Sequence, residues 1–156
     1  MRLVVAAVGS RMPRWIDEGF AEYARRMPRH LPLELAAVRP ESRAGGKPVP
    51  ALLAAEAGRL QSALPQGCLR VALDERGREY TSAALAQWLG RRAGEGRDLA
   101  FLIGGPDGLL PALLEGADER LRLSAFTLPH GLARVLLAEQ LYRAASILAG
   151  HPYHRE

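Results

Sequence analysis

The chain is poor in cysteine and lysine and has no long apolar run, and the first and last of these shortages each remove a class of explanation. Cys68 is the only cysteine in 156 residues, which excludes an internal disulfide and a multi-cysteine metal site. It adjoins the apolar stretch 69–73, where a free thiol reads as a small buried hydrophobe rather than a nucleophile. The first apolar run, Leu3 to Val8, is too short for a signal peptide and far too short to span a bilayer. That points to a cytoplasmic protein with no membrane partner. Lys47 is the only lysine among 21 basic residues, and against 17 acidic ones the net charge is +4. Such a charge suits an acidic partner such as RNA, but by itself selects none.

What is present describes a folded protein. Hydrophobic residues make up 48% and charged residues 24%, a globular balance, and the length is that of one ordinary domain spanning 1–156. Apolar runs alternate with helical patterns, which predicts an α/β layered domain. Strands are expected near 2–8, 31–38, 69–74, 98–104 and 120–124. Helices are expected near 12–27, 49–63 and 81–93, with a short helical turn near 109–115 and a long final helix near 131–149. The loop 39–50, with Pro40, Gly45, Gly46, Pro48 and Pro50, reads as a mobile surface crossover with no assigned role.

The final helix is apolar on nearly every face: Leu132, Val135, Leu136, Leu137, Leu141, Tyr142, Ile147 and Leu148. A helix packed on one side of a sheet needs only one apolar stripe. This one calls for a second burial surface, and a second copy of the chain is the expected source. Its charged exceptions are Arg134, Glu139 and Arg143. Glu139 and Arg143 stand four residues apart and can pair. Buried charges must be paired or serve a ligand, so these three are interface ion pairs or site residues.

Three segments carry chemistry. Phe101-Leu102-Ile103-Gly104-Gly105-Pro106-Asp107-Gly108 is an apolar strand running into a glycine turn, and α/β sheets bind ligands at such carboxyl ends. It is neither a P-loop nor a Rossmann fingerprint, because no lysine follows and the glycine spacing differs. Leu121-Arg122-Leu123-Ser124-Ala125-Phe126-Thr127-Leu128-Pro129-His130 brings Ser124 and Thr127 hydroxyls before a helix that Pro129 starts; the same hydroxyls also serve as helix caps. The tail His151-Pro152-Tyr153-His154-Arg155-Glu156 gathers groups that stack on bases, bind phosphate and move protons. Its two histidines lack the cysteine or carboxylate cluster a metal would need, so no metal is expected.

Leu102-Ile103-Gly104-Gly105-Pro106-Asp107-Gly108, Ser124-Ala125-Phe126-Thr127-Leu128-Pro129-His130, Leu141-Tyr142-Arg143-Ala144 and the closing His-Pro-Tyr-His-Arg-Glu, taken in order, closely resemble the ribosomal large subunit methyltransferase H family of the SPOUT class. The opening fits too, with Val8-Gly9, Met12-Pro13-Arg14-Trp15 and Gly19-Phe20-Ala21-Glu22-Tyr23, so the resemblance covers the whole length. It implies a SPOUT-type parallel-sheet α/β domain with helices on both faces and a C-terminal trefoil knot, a feature essentially absent elsewhere. It implies a homodimer and S-adenosyl-L-methionine as methyl donor. The donor pocket would comprise Leu73, Gly104, Gly105, Leu123, Ser124, Ala125, Phe126, Thr127 and Leu128, with Phe126 standing where relatives commonly carry an aliphatic side chain.

The implied reaction methylates N3 of a pseudouridine in a large-subunit ribosomal RNA hairpin loop, on the assembled ribosome and not on DNA. N3 lies on the Watson–Crick edge, which is reachable only in an unpaired or extruded base. The implied catalytic residues are His130, Arg143, Tyr153, His154 and Arg155. Arg143, Tyr153 and Arg155 would hold base and phosphate. Either His154 or His130 would take the proton, or a desolvated arginine would stabilise the N3 anion. Arg11, Arg14, Arg25, Arg26 and Arg29 are the candidate RNA contacts. Two alternatives keep the fold: a SPOUT enzyme with another RNA target, and a non-catalytic ribosome-binding or assembly factor.

Overall fold

The computed structural model describes residues 1–155 except for the side chain of His154, so that side chain and Glu156 lie outside the described residues. β1 (Leu3–Val8) and β4 (Leu99–Ile103) contain only apolar residues, and every one of them is buried. Continuous apolar runs mark strands covered on both faces, and these two lie side by side inside a five-stranded sheet. All pairings are parallel, in the order β2-β1-β4-β3-β5, where β2 is Leu33–Val38, β3 is Leu69–Glu79 and β5 is Glu119–Arg122.

Successive strand residues point to opposite faces, and helices take up both. Leu3, Val5 and Phe101 share one core with Phe20 of α1 (Arg14–Arg26), Leu85 and Leu89 of α3 (Ser82–Glu95) and Leu137 and Leu141 of α5 (His130–Leu148). Ala6, Val8 and Leu102 face the other core, with Leu60 of α2 (Val49–Ser62) and Leu113 of α4 (Pro111–Glu115). The Thr81 hydroxyl accepts from Ala84 N at 3.1 Å and caps α3, which Gly96 ends in the left-handed conformation. A 3₁₀ turn, Pro152–Arg155, follows α5. No helix among the described residues is long and apolar enough to cross a membrane.

Two elements differ from the sequence reading. The apolar pattern predicts a β3 that ends near residue 74, and the strand runs on to Glu79. Its register shifts between Leu73 and Arg78, so that Leu121 pairs with both. The bulged segment, Asp74-Glu75-Arg76, is charged and reads as loop because it has no partner of its own in the ladder: pairing with edge strand β5 stops at Leu73 and resumes at Arg78. Gly77 is needed there: a Cβ would lie 2.6 Å from the backbone of Leu121.

The second is α5, which finds burial partners on several sides within one chain. α1 and α3 flank it, the sheet lies beneath and the 3₁₀ turn covers part of the remainder. Gly19 of α1 makes room for Val135, and Gly90 of α3 for Leu148. The pattern therefore does not by itself require a second copy. Leu132 and Leu148 of α5 stay exposed, as does Trp15 at the start of α1.

Candidate methyl-donor cleft and C-terminal cluster

The carboxyl ends of β3, β4 and β5 open into one cleft of about 630 Å³. Its first wall is the glycine turn after β4. Gly108 N donates to Gly105 O at 3.0 Å, closing a turn in which Gly108 takes a φ of 77°, open to glycine at no steric cost. Gly104 packs so closely on this turn that a Cβ would overlap the carbonyl carbon of Gly108. The second wall is the loop between β5 and α5. Arg122 Nε donates to Ser124 O at 3.1 Å, and Ser124 Oγ accepts from Phe126 N at 2.9 Å. Both bonds tighten the loop, and the Phe126 ring is left 83% exposed.

Leu73, Gly104, Gly105, Leu123, Ser124, Ala125, Phe126, Thr127 and Leu128 all line this cleft, and so does His130. The lining also includes Asp74, Glu75 and Asp107, which the sequence reading did not select. The bulge in β3 carries the first two there. Apolar Leu73, Ile103 and Leu121 beside bare loop backbone offer the mixture of surfaces an adenosyl group requires. The Gly104 cradle would close if any side chain stood in it, so the residues present fit the methyl donor.

His130 opens α5 beside Arg134, one helical turn on. Burial, followed by the Arg134 positive charge, holds the imidazole below its ordinary pKa of 6.5. It is therefore a neutral proton acceptor near pH 7. Arg134 itself is 1% exposed, and its Nη2 donates to Val8 O at 2.9 Å and Gly9 O at 2.8 Å. This resolves one of the three charges on the apolar helix: Arg134 ties α5 to the end of β1. A lone arginine in an apolar helical pattern was the only signal for it.

The remaining expected site residues sit elsewhere. Thirteen residues of helix separate Arg143 from His130, about 20 Å at 1.5 Å per residue. There Arg143 pairs with Glu139 at 2.6 Å, and the Tyr153 hydroxyl donates to the same Glu139 oxygen at 3.2 Å. The Tyr153 ring lies 4.8 Å from the Arg143 guanidinium, 4.9 Å from that of Arg26 and 4.7 Å from the Tyr142 ring. Burial, a hydrogen bond with Tyr23 and the charge of Glu139 push the Tyr153 hydroxyl well above the usual phenol range. It is no proton acid or base near neutrality. Arg155 is exposed, and the side chain of His154 lies outside the described residues. Among the candidate RNA contacts, Arg14 pairs with Glu18 and Arg25 with Glu22, while Arg11 and Arg29 are exposed.

Residues 1–154 match the family described as "Predicted SPOUT methyltransferase". The ribosomal RNA large subunit methyltransferase H of Nitrosospira multiformis is 57% identical over 155 residues, covering 99% of each chain. The chain belongs to this methyltransferase family. The enzyme of the same name from Leptothrix cholodnii is 56% identical over the full length of both. The fold of this SPOUT methyltransferase is similar to that of a probable methyltransferase from Bordetella pertussis, with a TM-score of 0.57 at 18% identity, covering 92% of this chain and 96% of that one. It is also similar to a probable methylase family protein from Haemophilus influenzae, with a TM-score of 0.55 at 16% identity, over 97% of this chain and 69% of that one.

Proposed function

We propose that this enzyme transfers the methyl group of S-adenosyl-L-methionine to N3 of a pseudouridine in a large-subunit ribosomal RNA hairpin loop, acting on the assembled ribosome. The supporting observation is that the glycine turn and the 123–128 loop, at the carboxyl ends of two different strands, form one cleft with a neutral imidazole at its edge. The relatives that share more than half of its residues are named for methylation of large-subunit ribosomal RNA.

When bound, S-adenosyl-L-methionine supplies a methyl group already activated by its sulfonium. The backbone of Gly104, Gly105 and residues 123–128 would hold it, with Leu73 lining the same cleft. What is left for the protein is alignment and proton removal. His130 takes the proton that N3 loses. Arg143 and Arg155 hold the base and its phosphate, and Tyr153 fixes the segment that carries them.

These groups lie about 20 Å from His130 along α5, so one chain does not unite them. A two-fold partner packed antiparallel along the helix would bring its tail to the cleft. The exposed Trp15 and Leu132, adjoining the contact between Ile16 and Gly131, provide apolar surface for that partner. The trefoil knot belongs to this reading as well, since the strand order and both helical layers accommodate it.

The test is transfer of labelled methyl to ribosomes lacking the modification and to naked ribosomal RNA, with the nucleoside identified by mass spectrometry. N3-methylpseudouridine appearing on ribosomes supports the proposal. Donor binding without label would indicate another RNA target, and absence of donor binding would indicate a ribosome-binding factor instead.

A further inference from the structure

We infer that Arg43, in the loop after β2, is a positioning residue for the methyl donor: its guanidinium braces the glycine turn of the cleft against α2. The inference rests on the donor-binding role proposed above for that turn. Arg43 Nη2 donates to Asp107 Oδ2 at 2.9 Å, while Nη1 donates to Glu56 Oε2 at 3.0 Å and to Glu41 O at 2.8 Å. Glu41 N donates to the same Glu56 oxygen at 3.0 Å. Glu41 is in turn held by Lys47 at 3.0 Å and Arg59 at 2.5 Å. A loop that reads as a plain crossover is thus fastened at both ends of its first half.

The turn needs such a brace. Residues 105–108 close on a single backbone hydrogen bond and include two glycines, which have no side chain to pack. Among the described residues, Arg43 is the only side chain that bonds to Asp107. Behind the turn stands Glu56, with a side chain only 3% exposed. Its Oε1 has no hydrogen-bond partner among the described residues, and a Cβ on Gly105 would lie 3.9 Å from it. Asp107 is therefore held from outside while Gly105 rests against the buried carboxyl group.

The two halves of the Arg43 contact have different consequences. Glu56 is buried and needs its cationic partner. Arg43 and Asp107 are about a third exposed, so that pair adds little to global stability. Its effect is on where the turn sits. The planar fork of arginine serves two carboxylates through separate nitrogens, which a single ammonium does not reproduce.

The experiment combines calorimetric titration with S-adenosyl-L-methionine, thermal melting, and hydrogen exchange of the ligand-free protein. It uses wild type, Asp107→Ala, Arg43→Lys, their combination, and Arg43→Ala with Glu56→Gln. The last pair removes the buried carboxylate together with its partner. Expected are melting temperatures near wild type, dissociation constants raised roughly five- to tenfold, the scale of one ordinary hydrogen bond because the effect reaches the donor only through the turn, and faster exchange confined to residues 104–109. The losses of Asp107→Ala and Arg43→Lys should overlap rather than add. Unchanged exchange at the turn in Asp107→Ala and Arg43→Lys overturns the inference, as do losses of affinity that add in full. Failure of the wild type to bind the donor would remove the proposed function instead, and the exchange data alone would then decide whether Arg43 braces the turn.

Discussion

Burial governs the charge on the His130 imidazole, and Arg134, one turn along the same helical face, adds to the effect. Burial and the neighbouring cation lower its pKa in the folded protein, so the unfolded chain binds this proton first as pH falls. Stability is unaffected above about pH 6.5 and declines below it, down to the folded pKa. Thermal melting between about pH 7.5 and pH 5 should therefore show a steeper loss in wild type than in His130→Ala. Equal slopes would remove this linkage. Gly104 is a second residue where geometry decides the outcome. Gly104→Ala drives a methyl group into the Gly108 backbone; overpacking of this kind costs about 1–3 kcal/mol. Melting should reveal that loss, and calorimetry should show donor binding abolished; wild-type affinity would mean that the turn moves freely. Gly104 was legible beforehand because a glycine after an apolar strand marks a close backbone approach. The contact between Arg134 and Val8 was not, since 126 residues separate the partners.

At the scale of elements, the tail depends on Tyr153. The ring lies close to two guanidinium groups and beside Tyr142, and its hydroxyl bonds to Glu139. Tyr153→Phe removes the hydroxyl and its hydrogen bonding with Glu139 and Tyr23, worth about 1 kcal/mol for each bond, and with the ring contacts intact should leave the tail docked. Tyr153→Ala also removes the ring, with its cation–π contacts of about 0.5–1 kcal/mol each at exposed sites. Hydrogen exchange over residues 151–155 should rise sharply in the alanine variant and little in the phenylalanine one, and methyl transfer should follow the same order. Transfer unaffected by Tyr153→Ala would show that the docked tail is dispensable. The sequence marked the tail as chemically rich but gave no hint that its phenol packs back onto α1 and α5. β3 shows the opposite limit. Its apolar first half was readable by composition, whereas the charged continuation belongs to the strand only because Arg78 and Glu79 pair with β5 beyond the bulge.

At the scale of the whole molecule, the cleft and the Arg143–Tyr153 cluster stand at opposite ends of α5, and assembly is what would bring them together. Sedimentation equilibrium should give a dimer for wild type and a monomer for Leu132→Glu, which places a charge on an exposed position of the helix. That variant should still bind S-adenosyl-L-methionine and should lose transfer to ribosomes. A dimer that persists in it would move the interface away from this end of α5. Sequence alone determined the number and order of strands and helices, because burial on one or both faces leaves periodic apolar patterns that survive without coordinates. It also marked the glycine turn and the 123–128 loop, because backbone approach to a ligand restricts residue type locally. Tertiary structure alone decided the β3 bulge, the α5 coverage supplied by α1 and α3, the Arg134 anchor and the Arg43 brace. Each of these rests on contacts between segments distant along the chain, and such contacts leave no periodic trace in the residues that make them.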